Sequence, residues 1–86
     1  MEKNEIKTKI REKLTELAGE LGNDASQISD DDIIPATGLV DSIRILGLVV
    51  WYEKAFGMSL KQEEINIDNL GSIELMADYV LKRKSG

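Results

Sequence analysis

The chain predicts an all-α fold: a small four-helix bundle with three main helices, one short helix and a long loop between helices 1 and 2. Three observations carry this. Three segments repeat apolar residues at helical rather than strand spacing. The single proline, Pro35, falls between those segments. Eighty-six residues make one domain, residues 1–86, a size at which about 60% of the unfolded chain's surface is buried on folding.

The first helix is read from Ile6, Ile10, Leu14, Leu17 and Leu21, which line one face while Lys7, Lys9, Arg11, Glu12, Lys13 and Glu16 fill the other. Gly22-Asn23 tolerates the left-handed conformation that closes a helix, with Gly19 as an earlier fraying point. From Asn23 to Val40 the chain reads as a structured loop pinned by Ile28, Ile33 and Ile34, a length that in a compact domain points to function. Its acidic run Asp30-Asp31-Asp32 lacks the glycine and glutamate that a calcium loop needs at its sixth and twelfth positions, and reads as solvated charge.

The second main helix runs from Ser42 to Phe56 and is apolar nearly all round. Ile45, Leu48, Val49, Tyr52, Ala55 and Phe56 gather on a core side. Ile43, Leu46, Gly47 and Val50 fall on another flank, with Arg44 and Trp51 between. A domain this small cannot bury both sides, so the second is expected to dock against something else. After Phe56-Gly57 and a link carrying Met58, Leu60, Glu63 and Glu64, the residues Ile65, Ile67 and Leu70 suit a short helical turn, although Ile65-Asn66-Ile67 by itself alternates like a strand. Ser72 is placed to cap the last helix, whose core stripe is Ile73, Met76, Ala77 and Val80 with Leu75 and Tyr79 beside it. Lys82-Arg83-Lys84 ends that helix, where cations complement its dipole.

Composition removes most chemistry. With no cysteine the chain has neither a disulfide framework nor a thiolate metal site, and with no histidine it lacks the commonest general base. A Ser–Lys dyad or a carboxylate pair is what remains for catalysis, and for carboxylates such as Asp31 and Glu64 nothing in the spacing brings them together. A net charge of −5 opposes nucleic acid or an anionic membrane as partner. Met1-Glu2-Lys3-Asn4-Glu5 has no signal-peptide core and no run has the length of a membrane span, so a cytoplasmic protein is expected.

Against that background Asp41-Ser42-Ile43 stands out, because it sets a hydroxyl where the turn Gly38-Leu39-Val40 gives way to a helix. The free N–H groups and positive dipole end of that helix favour a phosphate esterified to Ser42. A serine in this place is most often only an N-cap. Asp41 is an equally good cap, however, and neither residue has the glutamate or glutamine of a capping box three positions on, where Arg44 and Ile45 stand. The Gly-x-Ser-x-Gly turn of hydrolases is also missing. Ser42 therefore reads as an acceptor of a group rather than as a nucleophile acting alone.

The run Gly38-Leu39-Val40-Asp41-Ser42-Ile43, preceded by an amphipathic helix and long loop and followed by a helix ending Ala55-Phe56-Gly57, resembles the acyl and peptidyl carrier proteins. The resemblance spans about Ile6 to Leu81. It implies that Ser42 carries 4′-phosphopantetheine, whose thiol holds acyl or aminoacyl groups as thioesters, and that Asp41 helps a phosphopantetheinyl transferase recognise the site. Ile43, Leu46 and Val50 match positions that face partners or shelter the arm. It further implies a non-catalytic monomer that serves acyl-activating, acyl-transferring or synthase enzymes, and a carrier needs no histidine or cysteine because its cofactor brings the thiol.

Fatty-acid carriers have an acidic residue two positions after the serine and further acids along this helix. Here Arg44 and Gly47 take such places and Glu53 stands against Lys54, which weakens steering toward basic enzymes. The wording around Ser42 and the Phe-Gly helix end look closer to D-alanyl carrier proteins and other freestanding carriers of specialised pathways. Gly47, inside a helix at a cost of about 1 kcal/mol relative to alanine, either leaves space beside Trp51 for the arm, its cargo or a partner helix, or is a tolerated surface glycine. The rival reading is a helical protein–protein interaction module without a prosthetic group, using the same second apolar face.

Overall fold

The computed structural model describes residues 2–85 and contains α1 (Lys3–Gly19), α2 (Ile34–Thr37), α3 (Ser42–Ala55), a 3₁₀ turn (Gln62–Glu64), α4 (Ile67–Leu70) and α5 (Ile73–Ser85). No strand occurs among the described residues. The small helical bundle expected from the sequence is what forms, with one short helix more than anticipated. None of the described helices is long and apolar enough to cross a membrane.

Ile6, Ile10, Leu14 and Leu17 of α1 are buried as their spacing requires, and Ala18 joins them. Leu21, expected to extend the stripe, is exposed. The helix closes before it: Gly22 turns left-handed at φ 77° and Asn23 donates its N–H to Ala18 O at 2.9 Å, so helical periodicity no longer aims Leu21 at the core.

Between α1 and α3 the chain is more ordered than a loop. Pro35 opens α2, where its missing N–H costs nothing, and Gly38 ends it at φ 73°. Ala25, Ile28, Ile34 and Val40 anchor this region in the core, whereas Ile33 is exposed. Four residues are too few to show a helical period, which is why α2 escapes a reading by pattern. The Ile34 N–H donates to Gly71 O at 2.8 Å and ties α2 to the α4–α5 junction. A Cβ on Gly71 would lie 2.4 Å from Ile67 O, so the end of α4 has no room for a side chain against its own first residue.

The three long helices are held by aromatic packing inside and a charge ladder outside. Tyr52 is fully buried and donates its hydroxyl to Met76 O of α5 at 2.7 Å; burial pushes the phenol's pKa up. Phe56 meets Tyr52 and Trp51 edge-on at 5.6 and 5.8 Å between centroids. Ala55, assigned to the core by spacing, is exposed on the side of α3 turned toward α1. Outside, Lys3, Lys7 and Arg11, one turn apart on α1, face Asp30, Glu74 and Asp78. Lys7 bridges Asp30 at 2.7 Å and Glu74 at 3.1 Å, and the Glu74 N–H donates to Asp30 O at 3.0 Å. The acidic run is thus not simply solvated: Asp30 is paired, Asp32 accepts from the Ser29 N–H, and Asp31 is left to solvent.

The segment after α3 is pinned by Glu64, which accepts from Tyr79 and Arg83 of α5, the latter at 2.6 Å. Arg83 therefore spends its charge on Glu64, besides sitting at a helix end. Asn66, extended at φ −149°, accepts from the Asn69 N–H and caps α4; that extended cap is why Ile65-Asn66-Ile67 looked like a strand. Ile65 and Ile67 are exposed and Leu70 alone of the three is buried. Ser72 accepts from the Leu75 N–H at 3.1 Å, and the expected α5 stripe of Ile73, Met76, Ala77 and Val80 is buried.

The hydrogen bond from Lys7 lowers the pKa of Asp30, and that from Lys3 lowers that of Glu74, so both bind fewer protons folded than unfolded. Their contribution is complete above the ordinary carboxylate range and is lost as pH falls through the depressed folded values. Lys3 and Lys7, raised chiefly by hydrogen bonds to Asp78 and Asp30, lose theirs only above the ordinary lysine range. Urea midpoints should therefore stay level from about pH 6 to about pH 9 and decline below about pH 4.5, with a shallower decline in Asp30→Asn.

Candidate functional site

The first turn of α3 is built by a division of labour between two adjacent residues. Val40 is buried and fixes the approach of the chain, and Asp41 stays extended at φ −92°, ψ 178°. The Asp41 Oδ1 accepts the Arg44 N–H at 2.9 Å and its backbone oxygen accepts the Ile45 N–H at 2.9 Å. Asp41 is the N-cap, so the capping role open to Ser42 in the sequence is already taken. Ser42 is exposed, and none of the side-chain hydrogen bonds among the described residues involves its hydroxyl. The N–H groups of Ser42 and Ile43 precede the first intrahelical bonds and remain donors without a described partner.

Arg44 locks this corner. Its Nη1 meets Asp41 Oδ2 at 3.1 Å and its Nε meets Glu20 Oε1 at 3.3 Å, so one guanidinium joins the start of α3 to the end of α1. Sequence spacing gave no signal for Glu20, which lies 24 residues away. Asp41, the residue before Ser42, gives one carboxylate oxygen to the Arg44 N–H and the other to the Arg44 guanidinium. An anion on Ser42 would meet two unpaired N–H groups and the positive end of a 14-residue helix.

Two apolar surfaces flank Ser42. On one side Ile43, Leu46 and Val50 form a stripe that is 75%, 64% and 43% exposed, on the face of α3 opposite its buried residues. Gly47 lies beside the stripe, exposed, with no atom within 4 Å of the place a Cβ would take. On the other side, Ile45 and Val49, three and seven residues after Ser42 and hence on its helical face, enter an apolar cleft of about 190 Å³. Leu48 completes the α3 side and Ile34 and Pro35 the α2 side, Met76 of α5 adds to the lining, and Ile65, Ile67 and Leu70 supply the opposite wall. Sequence reasoning missed this cleft because its walls come from segments some thirty residues apart.

Of the residues singled out from sequence, the structure groups Asp41, Ser42, Ile43, Arg44, Leu46, Gly47 and Val50 around one helix end and one exposed face. Trp51 is not among them. Nine residues after Ser42, it points to the other side of α3, half-buried against Phe56 and beside Lys9, Glu12, Lys13 and Glu16 of α1. Asp31 and Glu64 do not form an acid–base pair, since Glu64 is engaged by Tyr79 and Arg83.

Residues 9–80 match a family model described as phosphopantetheine attachment site. No curated protein and no solved structure matches the chain.

Asp41→Ala should cost about 1 kcal/mol of unfolding free energy through loss of the cap, whereas Ser42→Ala should leave it within about 0.5 kcal/mol; urea denaturation distinguishes the two. Gly47→Ala meets open space and should stabilise the chain by about 0.5–1 kcal/mol in the same measurement.

Proposed function

The chain belongs to the phosphopantetheine-attachment family, whose prosthetic group is covalent 4′-phosphopantetheine, and from that premise we propose that Ser42 is the residue of attachment and that the protein is a non-catalytic carrier of acyl or aminoacyl groups. The observation that carries this reading is the exposed, unbonded Ser42 hydroxyl beside a cap supplied by Asp41. The group supplies a flexible arm ending in a thiol, the one reactive function this histidine- and cysteine-free chain lacks.

The chain's own residues have supporting tasks. Asp41 caps the first turn and leaves the Ser42 and Ile43 N–H groups free to donate to a phosphate that would be esterified there, and Arg44 would offset the Asp41 charge that opposes it. Both fit an esterified phosphate at this hydroxyl. The cleft between α3 and α4 is lined by aliphatic side chains and suits an apolar cargo, for which exclusion from water is favourable. Ile43, Leu46 and Val50 are presented to partner enzymes, among them a phosphopantetheinyl transferase and acyl-activating, acyl-transferring or synthase enzymes. Arg44, in place of an acid two positions after the serine, favours a dedicated carrier of a specialised pathway over general fatty-acid elongation, working as a cytoplasmic monomer.

The exposed stripe also suits an interaction module without a prosthetic group. Intact mass separates the two. After incubation with coenzyme A and a broad-specificity phosphopantetheinyl transferase, the wild-type chain should gain one phosphopantetheine and Ser42→Ala none. An unmodified wild-type chain overturns the carrier reading in favour of the module.

A further inference from the structure

The chain carries a net charge of −5, yet that charge is not placed where a partner must land to reach Ser42. Any protein closing on the Ser42 hydroxyl covers its neighbours on the exposed side of α3, and these are Ile43, Leu46, Gly47 and Val50. None is charged. At the rim, the carboxylates of Asp41 and Glu20 share the Arg44 guanidinium. Glu53 is bound through Oε2 to the Leu60 N–H at 2.8 Å, and Lys54 beside it offsets its charge. Three carboxylates against two cations leave the whole rim at −1. The remaining acids lie elsewhere: in the charge ladder, at Glu2, Glu5, Glu12 and Glu16 along α1, at Asp24, Asp31 and Asp32 of the loop, and at Glu63, Glu64 and Asp68 near α4.

We infer that partner enzymes dock on the Ile43–Leu46–Val50 stripe with an apolar, weakly charged surface, and that Arg44 is the specificity-determining residue that keeps this face from being read as acidic. The inference rests on the carrier reading of Ser42 and adds the chemistry of its partner. Arg44 achieves this through geometry: one contact reaches across from α3 to Glu20 at the end of α1, and the other holds Asp41, the residue before Ser42. Docking on such a face gains its free energy from removing apolar area from water, a term that salt does not screen. Long-range attraction would contribute little to encounter, because the acids that dominate the net charge are already screened at physiological ionic strength. Gly47 allows the partner to come close to the α3 backbone, since nothing in the chain fills the space above it.

The test uses the full chain and a phosphopantetheinyl transferase at saturating coenzyme A, with the KM for the carrier as readout. Between about 100 mM and about 500 mM sodium chloride this KM should change by less than about twofold. Leu46→Ser, at an exposed position where folding is not at stake, should raise it by about tenfold or more at every salt concentration. Arg44→Glu, which takes the rim from −1 to −3, should make the KM salt-dependent. A wild-type KM that climbs about tenfold with salt, or a Leu46→Ser chain loaded as well as wild type, overturns the inference while leaving Ser42 as the attachment residue. Absence of loading at every ionic strength overturns the carrier reading and the inference with it. Sedimentation of the wild-type chain should show a monomer; a dimer abolished by Leu46→Ser would assign the stripe to a second copy and overturn the inference.

Discussion

The hydrogen bond from the Arg44 N–H to the Asp41 carboxylate governs the rest of the site. A helix start leaves four N–H groups without partners, and one residue must commit its side chain to them. Asp41 does so, and Ser42 inherits a helical backbone with a hydroxyl that has nothing to hold. Had Ser42 been the cap, its oxygen would have been tied to the helix it starts. Capping by the preceding residue turns a structural position into an available functional group, and the guanidinium that follows steadies the same carboxylate from the other side.

A second constraint is size. An 86-residue chain has one core, and α3 carries more apolar residues than that core can take. Leu48, Tyr52 and Phe56 go inside, Ile45 and Val49 line the cleft, and Ile43, Leu46 and Val50 remain in water. Exposing three large aliphatic side chains in one stripe is unfavourable for a free monomer, and it marks a face whose apolar area is to be covered. Ser42 stands at the line between this stripe and the cleft. One helix thus places a hydroxyl between a surface suited to another protein and a hollow suited to an apolar chain.

The outer scaffold keeps that helix in place. Tyr52 secures α3 to α5 from within, the α1 cations hold α5 and the loop from outside, and the Ile34 N–H ties α2 to the end of α4 at Gly71 O. Glu64 fixes the far wall of the cleft to α5 through Tyr79 and Arg83. The ladder is neutral, with three cations against three acids, so the acidic surplus of the chain sits on acids outside it, along α1, in the loop and near α4. Net charge and local charge are therefore separate properties here, and a partner meets the local one.

Much of this was legible in the residues alone. The stripes of α1, α3 and α5 follow from the 3.6-residue period, which packing against a single core enforces. Asp41-Ser42 at the head of an over-apolar helix marks the hydroxyl proposed as the attachment point, and the structure puts that hydroxyl at the exposed start of α3. What pattern did not reach has a common physical cause: it depends on residues distant in sequence or on segments shorter than one period. The helix α2, the cleft formed by α2, α3 and α4, the bond of Arg44 to Glu20 and the turn of Trp51 toward α1 all belong to that class. The sequence determined which helix bears the site and which residues surround Ser42. Tertiary structure decided which apolar residues stay exposed and which charges cancel between elements, because burial and the ion pairs joining α1 to α3 and α5 are settled only when distant parts of the chain come within contact distance.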